Sequence, residues 1–212
     1  MKQSKIVLIW MALFLATIGM GNLVLAGEAY ESAFGFKAIF PAKWIVLDKS
    51  YAKENPDAVE SAFMAAQKDE EVTPENKSVL SSVKEMILRG EIEYYFSETP
   101  RFVVAVNRSS GNVPRTDEEL KNLCQSFPSQ LSASAGKPVN VYECSKRVFN
   151  GYETLVLVAD GQAKDSRYVQ YQLADTPQTV IIFTATGATP ENFPTMIKLM
   201  ESFMNSIQLV KK

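Results

Sequence analysis

The second half of the chain contains four consecutive segments that read as β-strands, separated only by turns or short loops. Asn150-Gly151, between the first two segments, is the strongest short signal for a two-residue hairpin. Strands with such short connections pair antiparallel, because a parallel pair needs a long crossover. The sequence therefore predicts an antiparallel meander, with strands at residues 139–149, 152–159, 168–173 and 180–186.

Other strands and several helices surround this meander. Aromatic and apolar side chains alternate along residues 33–40, which predicts a strand, and residues 44–47 are predicted to be its return partner. Further strands are predicted at residues 92–96, 102–107 and 207–210. Helix-start signals occur at Asn55-Pro56, Thr73-Pro74, Thr116 and Thr189-Pro190. The predicted fold class is α+β, an antiparallel β-sheet with helices packed on it.

The helix that follows Thr116 has the clearest start signal. Thr116 and Glu119 have the spacing of a capping box, in which each side chain accepts a hydrogen bond from the other residue's backbone N–H. Pro128 lies inside the same apolar pattern. Because proline lacks a backbone N–H and clashes with the preceding turn, it is predicted to kink or end the helix.

The N-terminus has the pattern of an export signal. Lys2 and Lys5 precede an apolar run over residues 6–26, which ends in the small-residue site Val24-Leu25-Ala26. This pattern predicts a signal peptide at residues 1–26, followed by one α+β domain at 27–212 that is exported to the periplasm or the extracellular space. The alternative is an uncleaved anchor, since the run is long enough to span a bilayer.

Two cysteines, Cys124 and Cys144, lie in the predicted exported domain. An even count in an oxidising compartment favours a disulfide. The alternative is a pair of buried free thiols, which suits Cys124 on the apolar face of its helix. The spacing is not CxxC, so a redox role is disfavoured.

The chain of 212 residues contains no histidine. This excludes Ser-His-Asp and Cys-His catalytic systems and His-ligated metals. The formal net charge of -2 argues against a nucleic-acid partner, because such proteins normally carry a basic surplus. We therefore predict no metal, no cofactor and no nucleic acid.

Two polar and aromatic strand faces are candidate contact surfaces. If Tyr94 and Phe96 face the core, Tyr95 points outward together with Glu91 and Glu93. In the meander, three further side chains share one face, and that face could also bind a partner; they are Tyr168, Gln170 and Gln172. The alternative for both faces is an ordinary solvated surface.

The residues that remain for catalysis form only weak patterns. Ser81 and Lys84 have S-x-x-K spacing, but the accompanying S-D-N and K-T-G elements of that enzyme class do not occur. The carboxylate pairs Glu91/Glu93 and Glu118/Glu119 would suit glycoside hydrolysis only if a cleft separated two carboxylates. An envelope-polymer hydrolase that uses these groups is the alternative function.

Both ends of the predicted domain resemble the PsbP-like group. The opening FGFKAIFPAKWIVL and the close SFMNSIQLVKK carry the resemblance, which covers most of residues 31–210. The group also takes in Mog-type proteins and bacterial exported relatives such as DcrB. The resemblance implies an α-β-α sandwich and a mostly non-enzymatic role in binding or stabilising other macromolecules.

These observations predict an exported, non-enzymatic binding or assembly-support protein of the cell envelope. Its partner would be an envelope protein or a small ligand that meets a contact surface. Contact with the membrane would be limited to the signal segment before cleavage. The same domain held by an uncleaved N-terminal helix is the other alternative.

Overall fold

The computed structural model describes residues 22–24, 26–56, 74–161 and 165–210, without the side chains of 22–24 and 74–80. These residues form eleven strands and four helices. The strands are β1 (Asn22–Val24), β2 (Ala29–Ser32), β3 (Phe36–Ile39), β4 (Trp44–Leu47), β5 (Ile92–Glu98), β6 (Arg101–Ser110), β7 (Val141–Phe149), β8 (Tyr152–Asp160), β9 (Arg167–Thr176), β10 (Thr179–Ala188) and β11 (Gln208–Leu209). The helices are α1 (Lys49–Glu54), α2 (Pro74–Arg89), α3 (Asp117–Ala135) and α4 (Phe193–Ser206).

The strands form two antiparallel sheets. The large sheet has eight strands in the order β1-β4-β5-β6-β10-β9-β8-β7, and the small sheet has three in the order β11-β3-β2. The small sheet and α4 cover one face of the large sheet. Helices α1 and α2 cover the β4–β5 end of the other face, and α3 covers its β7–β8 end. The predicted α+β class is confirmed.

The predicted meander is also confirmed, because β7, β8, β9 and β10 are sheet neighbours in sequence order. Its first turn lies where the Asn-Gly pair predicted it. Asn150 and Gly151 both have positive φ, at 47° and 84°. A two-residue hairpin turn of this kind needs such angles, and asparagine and glycine tolerate them best.

The predicted pairing of residues 33–40 with 44–47 is wrong. β3 pairs with β2 and β11 in the small sheet, whereas β4 pairs with β1 and β5 in the large sheet. The intervening residues 40–43 carry the chain from one sheet to the other. The two strands still meet through their side chains, since Phe40 lies 4.9 Å from Trp44 between ring centroids.

Helix α4 provides the centre of the main core. Its buried residues are Phe193, Met196, Met200, Phe203 and Met204. Their spacing places them on one face of the helix, which lies against β3 and β10. Phe203 contacts aromatic rings from both sheets, so this side chain links the two layers of the sandwich.

Helix α3 begins at the predicted capping box but does not end at Pro128. The Thr116 side chain accepts a hydrogen bond from the Glu119 N–H, and the Glu119 carboxylate accepts one from the Thr116 N–H. The helix continues through Pro128 to Ala135. Its apolar face is half-buried against β7 and β8, and this packing compensates for the hydrogen bond that proline removes.

A disulfide joins α3 to the sheet. Cys124 in α3 is bonded to Cys144 in β7, with the two Cα atoms 5.6 Å apart. This confirms the predicted bridge and excludes the alternative of free thiols. The bond fixes the helix against β7, the strand at one edge of the large sheet.

Two predictions concern residues outside this description. The predicted helix after Asn55-Pro56 falls mostly on residues 57–73, and the predicted signal segment falls mostly on residues 1–21. Within the described part of the chain, no helix combines the length and apolar character needed to cross a membrane.

Candidate binding surface

The prediction that Tyr95 forms an outward contact surface is wrong. Its side chain is fully buried, at 0% exposure, and packs against Phe40 and Phe203 in the main core. Tyr94 and Phe96 point to the opposite face of the sheet, where α1 and α2 cover them. Both faces of β5 are thus occupied, because this strand lies inside the sandwich and not at its surface.

Glu93, predicted to lie beside Tyr95 on a solvated face, is a buried carboxylate with 1% exposure. It accepts hydrogen bonds from the Ser32 hydroxyl at 2.8 Å, the Ala33 N–H at 2.9 Å and the Tyr95 hydroxyl at 2.5 Å. The Ser32 hydroxyl in turn accepts a hydrogen bond from the Phe34 N–H. Glu93 therefore anchors the turn between β2 and β3 to the large sheet, which is a structural role.

Burial raises the pKa of Glu93 above its usual value, although its hydrogen bonds from Tyr95, Ser32 and Ala33 oppose that shift. A carboxyl whose pKa is raised in the folded state stabilises the fold most at low pH. Its contribution is complete below the unfolded-state pKa of about 4.5 and is lost as the pH rises through the folded-state value.

Replacing Glu93 with glutamine is therefore expected to flatten the pH dependence of stability. The Glu93→Gln variant should lose less stability than the wild type as the pH rises above about 4.5, because the amide does not ionise. Urea unfolding at a series of pH values from 4 upward measures the difference. Glu91→Gln is the matched control, since Glu91 is exposed and bonded to Arg89. Equal slopes for wild type and Glu93→Gln would contradict the expectation.

The structure keeps Tyr168, Gln170 and Gln172 on one face of β9, as predicted, but only the glutamines are partly open to solvent. Tyr168 is buried beneath α3, with 7% exposure. Gln170 donates a hydrogen bond to the Thr184 hydroxyl, and Gln172 donates one to the Gln170 side-chain oxygen. Tyr95 lies on the other face of the sheet, so the structure does not unite the four predicted contact residues.

A different surface brings polar and aromatic groups together at one corner of the large sheet. Tyr142 is 49% exposed and lies at a bulge in β7, where the pairing with β8 shifts between Val141 and Glu143. A bulge adds one residue to the strand and re-aims a side chain. Here the Tyr142 hydroxyl donates a hydrogen bond of 2.6 Å to the Asp160 carboxylate at the end of β8.

Several neighbouring groups donate hydrogen bonds to the Asp160 carboxylate. Its other oxygen accepts hydrogen bonds from the backbone N–H and the side-chain amide of Asn140, at 2.9 and 2.8 Å. Burial disfavours the charged form of Asp160, but the hydrogen bonds from Tyr142 and Asn140 outweigh it and lower the pKa of this carboxyl. The hydrogen bond to Asp160 also raises the pKa of the Tyr142 hydroxyl.

Arg167 completes this corner. It lies opposite Asp160 in the β8–β9 register, and its guanidinium carbon is 4.1 Å from the centroid of the Tyr142 ring. The centroid of the Phe193 ring lies 5.8 Å from the same guanidinium carbon. Of the ion pairs found among the described residues, none involves Arg167. The guanidinium contacts the Tyr142 ring, and its charge also helps to lower the pKa of the neighbouring Asp160 carboxyl.

A cleft of about 370 Å³ opens beside these groups. It is lined by Lys137, Pro138, Asn140, Tyr142, Asp160, Gly161, Asp165, Ser166, Arg167 and Pro190. We call this cleft and its exposed aromatic rim the Tyr142 surface. A guanidinium can donate hydrogen bonds to the carboxylate and carbonyl oxygens of a partner, and an exposed aromatic ring adds apolar contact area.

Sequence reasoning missed the Tyr142 surface. Tyr142, Asp160 and Arg167 come from three strands, and Asn140 directly precedes the first of them. Only the strand register and the bulge bring these residues together. No motif spacing in the chain could have identified this corner.

The carboxylates considered for catalysis serve structural roles. Glu93 anchors a turn and Glu119 caps α3, whereas Glu91 forms an exposed ion pair with Arg89. Across the described part of the chain, no group of three or more Asp, Glu or Cys side chains is arranged to hold a metal ion.

No family profile and no curated protein matches the sequence. The two antiparallel sheets, with helices packed on both faces of the large sheet, constitute a PsbP-like fold. The solved structure that shows this likeness is cyanobacterial PsbP (CyanoP) from Synechocystis sp. PCC 6803, with a TM-score of 0.50 and 11% identity. The match covers 92% of this chain and 97% of that one.

A second solved structure is a weaker match. This protein from Bacteroides thetaiotaomicron VPI-5482 has a TM-score of 0.43 and 9% identity, over 89% of this chain and 50% of that one. At 11% identity the CyanoP match shows the fold alone. The predicted PsbP-like fold is confirmed, and the finer resemblance to Mog-type proteins and DcrB stays a prediction.

Proposed function

We propose that this protein is an exported, non-enzymatic accessory protein that binds an envelope partner through the Tyr142 surface. The observation that carries the proposal is the Arg167 guanidinium, which lies over the Tyr142 ring beside an open cleft. A guanidinium held in this orientation can donate hydrogen bonds to an oxygen-bearing group of a partner, and its side chain loses little further freedom on binding. A PsbP-like fold fits an accessory role of this kind.

Export is supported by two independent features of the chain. The N-terminal pattern of two lysines followed by an apolar run is typical of a secretory leader. The Cys124–Cys144 disulfide suits an oxidising compartment, since cytosolic thiols are normally kept reduced. Both features support the proposal that the domain lies outside the cytoplasm.

A binding role is also supported by the hydrogen bonds that Asp160 forms within the protein. Asp160 accepts three hydrogen bonds from its neighbours. Its contacts hold Tyr142 in position at the rim of the cleft. The Tyr142 ring and the Arg167 guanidinium line the cleft at this corner, and these groups suit recognition.

Site-specific photocrosslinking in the exported full-length protein tests the proposal. A photoreactive phenylalanine derivative at position 142 is expected to yield one reproducible envelope adduct. The same derivative at Val148 is the matched control, because Val148 is 64% exposed on the same strand but distant from the cleft. The adduct at 142 should fall at least several-fold when Arg167 is replaced by alanine. Equal adducts at both positions, or none at 142, would overturn the assignment of this surface.

A further inference from the structure

The predicted leader overlaps with the first strand of the large sheet. Cleavage after Ala26 would remove residues 22–24, which form β1. β1 pairs with β4 along its whole length, with Asn22 opposite Val46 and Val24 opposite Trp44. The position of the processing site therefore decides whether the mature sheet keeps all eight strands.

The edge of β4 gives a physical reason to keep β1. One edge of β4 pairs with β5, and β1 pairs with the other. Without β1, that second edge would present unpaired backbone N–H and C=O groups, and exposed strand edges of this kind pair with other chains. A very short edge strand is one of the devices by which proteins prevent such association, and β1 has three residues.

The sequence contains a second cleavage motif just before β1. Gly19 and Gly21 are small residues at the third and first positions before the Gly21–Asn22 bond, as signal peptidase requires. The apolar run that precedes them, residues 6–18, has about 13 residues and falls within the usual length of about 7–15 for such a region. The run that ends at Ala26 exceeds that length.

We infer that processing occurs between Gly21 and Asn22, so that the mature protein begins with β1. Water adds across this amide bond at the active site of a membrane-bound signal endopeptidase, which leaves a carboxylate on Gly21 and an α-amine on Asn22. The inference rests on the proposed export and moves the junction five residues upstream of the site first predicted at Ala26.

The intact mass of the exported product tests this inference. The full chain is expressed in an exporting bacterial host, and the mass of residues 22–212 is expected. The mass of residues 27–212 would overturn the Gly21–Asn22 site but leave the proposed export standing. The mass of the whole chain would overturn the site and also remove the leader as support for the proposed function.

A matched pair of variants separates the two junctions. Gly21→Leu places a large side chain directly before the inferred junction, and is expected to reduce the product that starts at Asn22 at least tenfold. Ala26→Leu makes the same kind of change at the other candidate and should leave processing as in the wild type. Ala26 is exposed, so the folded domain tolerates this substitution. Normal processing of Gly21→Leu, or a block caused by Ala26→Leu, would overturn the inference.

Discussion

Replacing Phe203 with alanine is expected to lower the free energy of unfolding by about 3–5 kcal/mol. Phe203 is fully buried on α4, and its ring centroid lies 5.3 Å from that of Phe40 and 5.4 Å from that of Trp44. Phe36 and Phe183 contribute further ring contacts at 6.5 and 5.9 Å. The truncation removes apolar contact area and leaves a cavity between two sheets whose backbones cannot close over it.

Urea denaturation measures this loss as a lower transition midpoint at an unchanged slope. Ser202→Ala is the matched control, because Ser202 is exposed and adjacent in the same helix. Its effect should stay within about 0.5 kcal/mol, as for most surface substitutions. A cost for Phe203→Ala below about 1 kcal/mol would show that α4 does not link the two sheets as described.

The sequence predicted the local parts of this core well. On the last helix, the helical spacing of four apolar residues favours one apolar face, and three of the four side chains are fully buried; the four are Ile197, Met200, Phe203 and Met204. The Asn-Gly turn and the meander could be predicted equally well, because a hairpin is determined by residues that are close in sequence. Such features depend on local backbone preference and on periodicity.

Sheet order and strand burial could not be predicted in the same way. β3 and β4 are close in sequence but belong to different sheets, since their partners β11 and β5 come from distant parts of the chain. Tyr95 was placed outside because alternation assigns one face of a strand to solvent. β5 lies between β4 and β6 with both faces covered, so that assumption does not hold there.

The candidate binding surface has the same non-local origin. Tyr142 and Arg167 meet because β7, β8 and β9 pair in one register and a bulge shifts Tyr142. The surface does lie on strands of the meander that was predicted. The sequence therefore predicted the framework of this corner, whereas the meeting of its side chains required the structure.

Removing the disulfide with Cys124→Ala and Cys144→Ala together is expected to lower stability by about 3 kcal/mol. The bond closes a loop between residues 20 positions apart, and the cross-link restricts the unfolded chain more than the folded one. In the native state both cysteines lie where α3 already packs on β7 and β8, with Cys144 half-buried among Leu155 and Leu157. The loss should therefore appear in the unfolding equilibrium and not as a change of fold.

Urea unfolding of the oxidised wild type and of the double variant, each with and without a thiol reductant, isolates this contribution. Reductant should shift the wild-type midpoint toward that of the double variant and leave the double variant unchanged. A wild-type midpoint that does not respond to reductant would contradict the expectation, provided that alkylation shows the bond to be reduced. Because α3 is tied to β7 near the Tyr142 surface, loss of the bond should also raise the mobility of that strand edge, where the proposed partner would bind.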